Sequence, residues 1–266
     1  MVDIDVHVLD RGHITADRAF MIDGDAMGTL DAPQPEHHVI ESPVYNLLLD
    51  TPDGVVLWDT GSHPDAGDGY WPDHLYSVFA HEDASEHTLP GELDRHGYDL
   101  DDIDAVVMSH LHLDHAGGLR HFDGTDVPVY VHEREIEYAY RSANTATGSV
   151  AYFQPDFDHD LNWQVVTGER TQYFAGVEFL HLPGHTPGLL GLLLHRDEGT
   201  LVVAGDEVYR RENYEQGVPM SAGLLSGLDD WRESRARVQD LARRHDAPVF
   251  CGHDQRDVDQ LEAIVE

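Results

Sequence analysis

The chain has 266 residues, 51 of them acidic and 16 basic, and every basic residue is Arg, giving a net charge of −35 with His neutral. No basic run exists to displace counterions from phosphates, which excludes nucleic-acid partners and argues equally against anionic membranes. No stretch of about 18 apolar residues could span a bilayer, and the lone Cys251 rules out an intramolecular disulfide.

The acidity runs from Asp3 to Glu266 rather than forming a tail. In dilute buffer such a chain repels itself, whereas at 1 M salt the Debye length falls to about 3 Å and most of that repulsion disappears. A halophilic cytoplasm is therefore expected. The opening MVDIDVHVLD alternates apolar and polar residues as a strand does, and it is acidic where a signal peptide would be basic. No Ser/Gly linker or low-complexity break divides the sequence, so one domain over 1–266 is expected.

In chain order, LLLDTPDGVVLWD from Leu47 is an apolar-turn-apolar hairpin with Gly54 at its eighth position. Segment 62–100 is harder to read. Its Trp71, Tyr76 and Phe79 suit core packing, an acyl pocket or a dimer surface, and His63, His74, His81 and His87 are expected at the surface. Helices are expected over 86–97 and 132–143. Between them, Ala105-Val106-Val107-Met108 is a short apolar strand ending at Ser109, followed by SHLHLDHAGG.

That cluster places three His and one Asp in six consecutive positions, His110 to His115. On a helix, side chains two residues apart would point about 200° from each other, but on extended backbone they share a side. His110 and His112 can therefore grip one ion while Asp114 and His115 face elsewhere. A catalytic zinc takes about three protein ligands, so the displaced second pair implies a second metal.

More ligands follow at strand ends. His185 lies in the Pro/Gly turn of HLPGHTPG after the strand Val177–Leu180, Asp206 follows the strand Leu201–Ala204, and His253 follows Val249–Cys251. LLLHRDEGTLVVA from Leu192 repeats the first hairpin, with Gly199 where Gly54 stood, and VFCGH at 249–253 repeats VVMSH at 106–110. Two similar βα halves would bring their ligand loops to one edge. Helices are expected over 229–245, with Val238 and Leu241 on the face of Trp231, and over 254–265.

The string His110-Leu-His112-Leu-Asp114-His115, with His185, Asp206 and His253 beyond it, resembles the metallo-β-lactamase superfamily. PVYNLLLDTPDGVVLWDTG matches that family's first hairpin and Asp-Thr-Gly turn, with Asp59 supporting a ligand. Tyr209, three residues after Asp206, is similar to what N-acyl-homoserine lactonases carry. The resemblance implies an αββα sandwich of two mixed sheets with metals at one edge. His110, His112 and His185 would hold one ion, Asp114, His115 and His253 the other, and Asp206 would bridge them. Zinc is the first expectation, and iron, manganese or cobalt suit the same donors.

Two divalent ions about 3.5–4 Å apart acidify a shared water and clamp both oxygens of a hydrolysis. The lactonase resemblance then implies an enzyme opening N-acyl-homoserine lactones or similar lactones by a bridging hydroxide, with Tyr209 at the oxyanion and Asp114 or Asp206 returning the proton. The alternative is a glyoxalase II-like thioesterase, whose carboxylate-bearing substrates would need basic residues where only Arg256 is near. A redox flavodiiron relative would carry Glu at position 112, and this chain has His. A small-molecule lactone or thioester is the expected partner, and the protein is expected to be a monomer or homodimer.

Overall fold

The structure, a computed structural model, describes residues 2–265. Two sheets face each other. The first has seven strands in the order β4-β1-β2-β3-β5-β6-β7: β1 (Asp5–Asp17), β2 (Val39–Thr51), β3 (Gly54–Trp58), β4 (Phe79–Ala80), β5 (Ala105–Val107), β6 (Pro128–His132) and β7 (Asn162–Val166). The second has five in the order β12-β11-β10-β9-β8: β8 (Arg170–Phe174), β9 (Val177–His181), β10 (Leu190–Arg196), β11 (Gly199–Gly205) and β12 (Val249–Cys251). Four short helices, α1 (Arg18–Met21), α2 (Asp73–Tyr76), α4 (Leu113–Ala116) and α6 (Arg211–Gln216), lie in the connections. The longer ones are α3 (Leu89–Arg95), α5 (Glu133–Ala143), α7 (Leu228–His245) and α8 (Gln255–Val265).

Period-2 alternation divides the apolar side chains between layers. Leu47, Leu49, Val56 and Trp58 meet Phe179, Leu192, Leu194, Val203 and Phe250 between the sheets, and Val258 and Leu261 of α8 join this core. The alternate residues of these strands point outward. Leu48, Leu57, Val106 and Val129 pack with Leu93 of α3 and Ala139 of α5, while Leu193, Val202 and Val249 pack with Val238 and Leu241 of α7. Both faces of each central strand are thus covered, giving the expected αββα layering. No helix among the described residues is long and apolar enough to cross a membrane.

The internal repeat is present in the strand pairing. β2 and β3 form an antiparallel hairpin and β5 lies parallel to β3, as β10 and β11 form a hairpin and β12 lies parallel to β11. Each hairpin turns on a Gly, Gly54 at φ 124° and Gly199 at φ 140°, a backbone conformation that side-chain-bearing residues rarely adopt. The ligand loops after β5 and β12 therefore emerge from equivalent parallel pairs, at the carboxyl ends where open α/β sheets bind ligands.

Three expectations need correction. The helix expected over 86–97 covers Leu89–Arg95, because Thr88 caps it through the Gly91 N–H and Pro90 sits in its first turn. The strand ending at Ser109 stops at Val107. His63 and His81 are buried rather than exposed, since segment 62–100 folds onto a small core of Ala66, Trp71, Leu75, Ala84 and Leu113. His63 stacks on Tyr70 with ring centroids 3.7 Å apart, and His81 binds Ser62 Oγ at 2.7 Å through Nδ1. Trp71 accordingly packs, whereas Phe79 reaches the rim of the site.

Candidate metal centre

Extended backbone at His112, φ −72° and ψ 160°, caps the single turn of α4, so the chain changes direction between the His pair and Asp114-His115. The predicted split follows. His110, His112 and His185 converge as one buried group, and Asp114, His115, Asp206 and His253 as another, with the candidate ligand atoms of each group within 4.8 Å of one another. All seven sequence-predicted positions thus come together at one edge of the sandwich.

Asp206 links the groups. Its Oδ2 lies 3.2 Å from His253 Nε2 and 3.3 Å from His115 Nε2 in one group, and 3.8 Å from His110 Nε2 and 3.7 Å from His185 Nε2 in the other. Gly252 leaves room for this carboxylate, since a Cβ there would collide with Asp206 Oδ1.

The far nitrogen of four of the five rings is held by the protein. His115 Nδ1 contacts Asp59 Oδ2 at 2.9 Å, His185 Nδ1 the Leu224 carbonyl at 2.7 Å, His253 Nδ1 the Pro43 carbonyl at 2.7 Å, and His110 Nδ1 the Ser109 hydroxyl at 2.9 Å. Such partners fix ring orientation and tautomer in metal sites. Asp59 takes a left-handed conformation, φ 59°, and also accepts from the Ser109 N–H at 2.7 Å and the Ser109 hydroxyl at 2.6 Å. That supporting role was readable from the Asp-Thr-Gly turn; the carbonyls of Leu224 and Pro43 had no sequence signal.

The donor chemistry fits divalent cations. Asp114 Oδ2, Asp206 Oδ1 and His115 Nε2 are buried without a hydrogen bond, a cost that coordination would remove. Burial, reinforced by neighbouring imidazoles, pushes the pKa values of His110 and His112 well below the usual His range, leaving them neutral as ligands must be. Burial opposes charge on His115 too, but Asp206, Asp114 and Asp59 outweigh it and raise its pKa. Burial would likewise raise Asp206, yet His253 and His115 hold it ionised, well below the ordinary carboxylate range.

Tyr209 is buried beside this cluster, its ring centroid 4.3 Å from that of His253 and 5.8 Å from that of His185. Burial, then the charges of Asp206 and Asp114, push its pKa well above 10, so the phenol keeps its proton and can donate. Two cavities open on the metal cluster. One, of about 340 Å³, is bordered by His112, His185, Tyr152, Ser149 and Ser226. The other, of about 80 Å³, is walled by Phe20, Leu75, Phe79, Val150, Leu224 and Tyr209 and reaches Asp114. Phe20 of α1 and Val150 of the turn after α5 are distant in sequence, and no local pattern singled them out. Arg256 stays outside both, pairing with Asp254 at 3.1 Å.

Comparison with known proteins agrees with this geometry. Residues 39–253 match the family model of the metallo-beta-lactamase superfamily. An N-acyl homoserine lactonase, AiiB, of Agrobacterium fabrum is 34% identical over 260 residues, covering 93% of this chain and 92% of its own. An N-acyl homoserine lactonase of a Bacillus species is 32% identical over 220 residues, covering 81% and 83%. Among solved structures, an N-acyl homoserine lactone hydrolase with the product N-hexanoyl-L-homoserine at its catalytic metal centre superposes with a TM-score of 0.81 at 25% identity, covering 98% of this chain and 96% of that one.

Proposed function

Because this chain belongs to the metallo-β-lactamase superfamily, we propose that it is a dinuclear metal-dependent hydrolase that opens the ring of N-acyl-homoserine lactones or similar lactones. The observation that carries the reading is Asp206, one carboxylate oxygen within 3.8 Å of imidazoles from both ligand groups, beside an apolar cavity. His110, His112 and His185 would hold one ion, Asp114, His115 and His253 the other, and Asp206 both. Two such ions would lower the pKa of a shared water and draw charge from the ester oxygens.

The chain's own groups do the rest. The phenol of Tyr209 donates a hydrogen bond to the carbonyl oxygen as negative charge builds there. Phe20, Leu75, Phe79 and Leu224 seat the acyl chain. Hydrolysis adds hydroxyl to the carbonyl carbon, breaks the ring C–O bond, and needs one proton on the departing alkoxide. Asp114 or Asp206 would take that proton from the attacking water as it becomes hydroxide and pass it on to the alkoxide. Among the described residues no Arg lines either cavity, which favours an uncharged lactone over a thioester that carries carboxylates.

Zinc suits three-His and mixed His/Asp groups of this kind, and the net charge of −35 supports a high-salt cytoplasm as the working environment. The test is turnover of a lactone panel against a thioester panel in molar KCl, with metal analysis of the same preparation. Lactones should be the faster substrates, with two ions per chain. Faster hydrolysis of glutathione-type thioesters would replace the lactonase by the thioesterase.

A further inference from the structure

Glu135 lies in the first turn of α5, where a sequence reading would leave an acid in solvent, yet it is completely buried. Its Oε1 accepts from the Leu111 N–H at 3.0 Å and the Tyr152 hydroxyl at 2.8 Å, and its Oε2 from the Thr186 hydroxyl at 2.6 Å. The Gly188 N–H is a fourth donor. Gly188 has to be Gly, because a Cβ there would run into the Glu135 backbone.

The placement of these donors is selective. Leu111 sits between His110 and His112, Thr186 follows His185, and the Tyr152 ring packs edge-on against His112 with centroids 4.6 Å apart. One carboxylate therefore ties together the two loops that supply the whole three-histidine group. The other group has separate supports, Asp59 at His115 and the Pro43 carbonyl at His253.

We infer that Glu135 is the positioning residue of the three-histidine half, the buried anion that sets the spacing between the His110–His112 loop and the His185 loop and so that half's hold on its ion. The inference rests on the dinuclear reading above. Removing the carboxylate leaves four buried donors unmet at once. Gln is a near isostere: its carbonyl oxygen can still serve Leu111 and Tyr152, and its amide can donate to a Thr186 hydroxyl turned to accept.

The test uses the full chain in molar KCl, loaded with Co²⁺ so that binding is read by metal content and by the visible ligand-field spectrum rather than by turnover. His112→Ala and His115→Ala supply reference spectra for loss of each half. The wild type and Glu135→Gln should bind two ions with the same spectrum. In Glu135→Ala one ion should be held about tenfold to a hundredfold more weakly, the usual cost of losing such a support, and the remaining spectrum should match His112→Ala. Thr186→Val removes one donor and should weaken the same ion by a smaller factor, which serves if the Ala variant does not fold. Unchanged affinity for both ions in Glu135→Ala, or in Thr186→Val when only that variant folds, overturns the inference, as does equal weakening of both. A wild type that never binds a second ion overturns the dinuclear reading itself, and this inference with it.

Discussion

Replacing Tyr209 by Phe removes one hydroxyl and leaves the ring. The ring packs among Ile14, Met21, Val44, Met220 and Trp231, and against His253, so Phe keeps the apolar contacts and the aromatic stack. The phenol makes no contribution to ligand geometry, because His185 and His253 are oriented by the carbonyls of Leu224 and Pro43. Metal content and melting temperature should therefore stay near wild type. The lost term is kinetic. Removing one donor to a developing oxyanion in a water-excluded site costs about 2.7–4 kcal/mol, or roughly 10²–10³ in kcat, and Tyr209 is held protonated by burial and by Asp206 and Asp114. The assay is kcat and KM for an N-acyl-homoserine lactone in molar KCl, with metal analysis and a thermal melt on the same sample. Lactone turnover within a factor of two of wild type would assign Tyr209 to packing and refute the oxyanion role.

Asp206→Asn should lower bound metal in both halves, because the oxygen shared between them loses its charge; a fully active variant, or a wild type active with one tightly bound ion, would contradict the bridge. Thermal stability should climb from about 0.1 M to molar KCl as the Debye length shrinks from about 10 to 3 Å, and a flat or falling melting curve would argue against adaptation to salt. His132, stacked on His181 with centroids 3.8 Å apart, has its pKa lowered to about 4 by burial, then by His181 and Arg134. The unfolded imidazole takes a proton near pH 6.5 that the folded one refuses, so this stabilisation is full above pH 6.5 and is lost as pH falls toward 4. His132→Asn keeps a side-chain acceptor for the Arg134 N–H; its melting temperature should fall less steeply between pH 7 and 5, and parallel curves would rule out this contribution.

What the sequence discloses here depends on whether a residue's partners are near it in the chain. The candidate ligand residues stand at the ends of short apolar strands, and the paired hairpins at Gly54 and Gly199 fix which strands run parallel, so the edge where the seven meet follows from local pattern. The two-group split is also local, set by the change from extended backbone at His112 to the turn of α4. Supports are different. Arg11 is buried at a bulge in β1, donating to the Thr60 carbonyl at 2.7 Å and to Asn46 Oδ1 at 2.8 Å, and thereby bracing the turn that carries Asp59. Gly12 at φ 80° lets β1 pass through that bulge and continue to Asp17, well beyond the stretch whose alternation marked it as a strand. A rule that leaves charge in water reads Arg11 and Glu135 as surface, and each is wrong for one reason: its partners lie 17 to 76 residues away. In a chain so rich in exposed acid, composition hides the few buried charges best. Yet these are the groups on which the loops of the metal cluster hang, and a buried charge satisfied only by distant donors is costly to misplace. The positioning of the ligands is therefore specified by long-range polar contacts, while the identity of the ligands is specified locally.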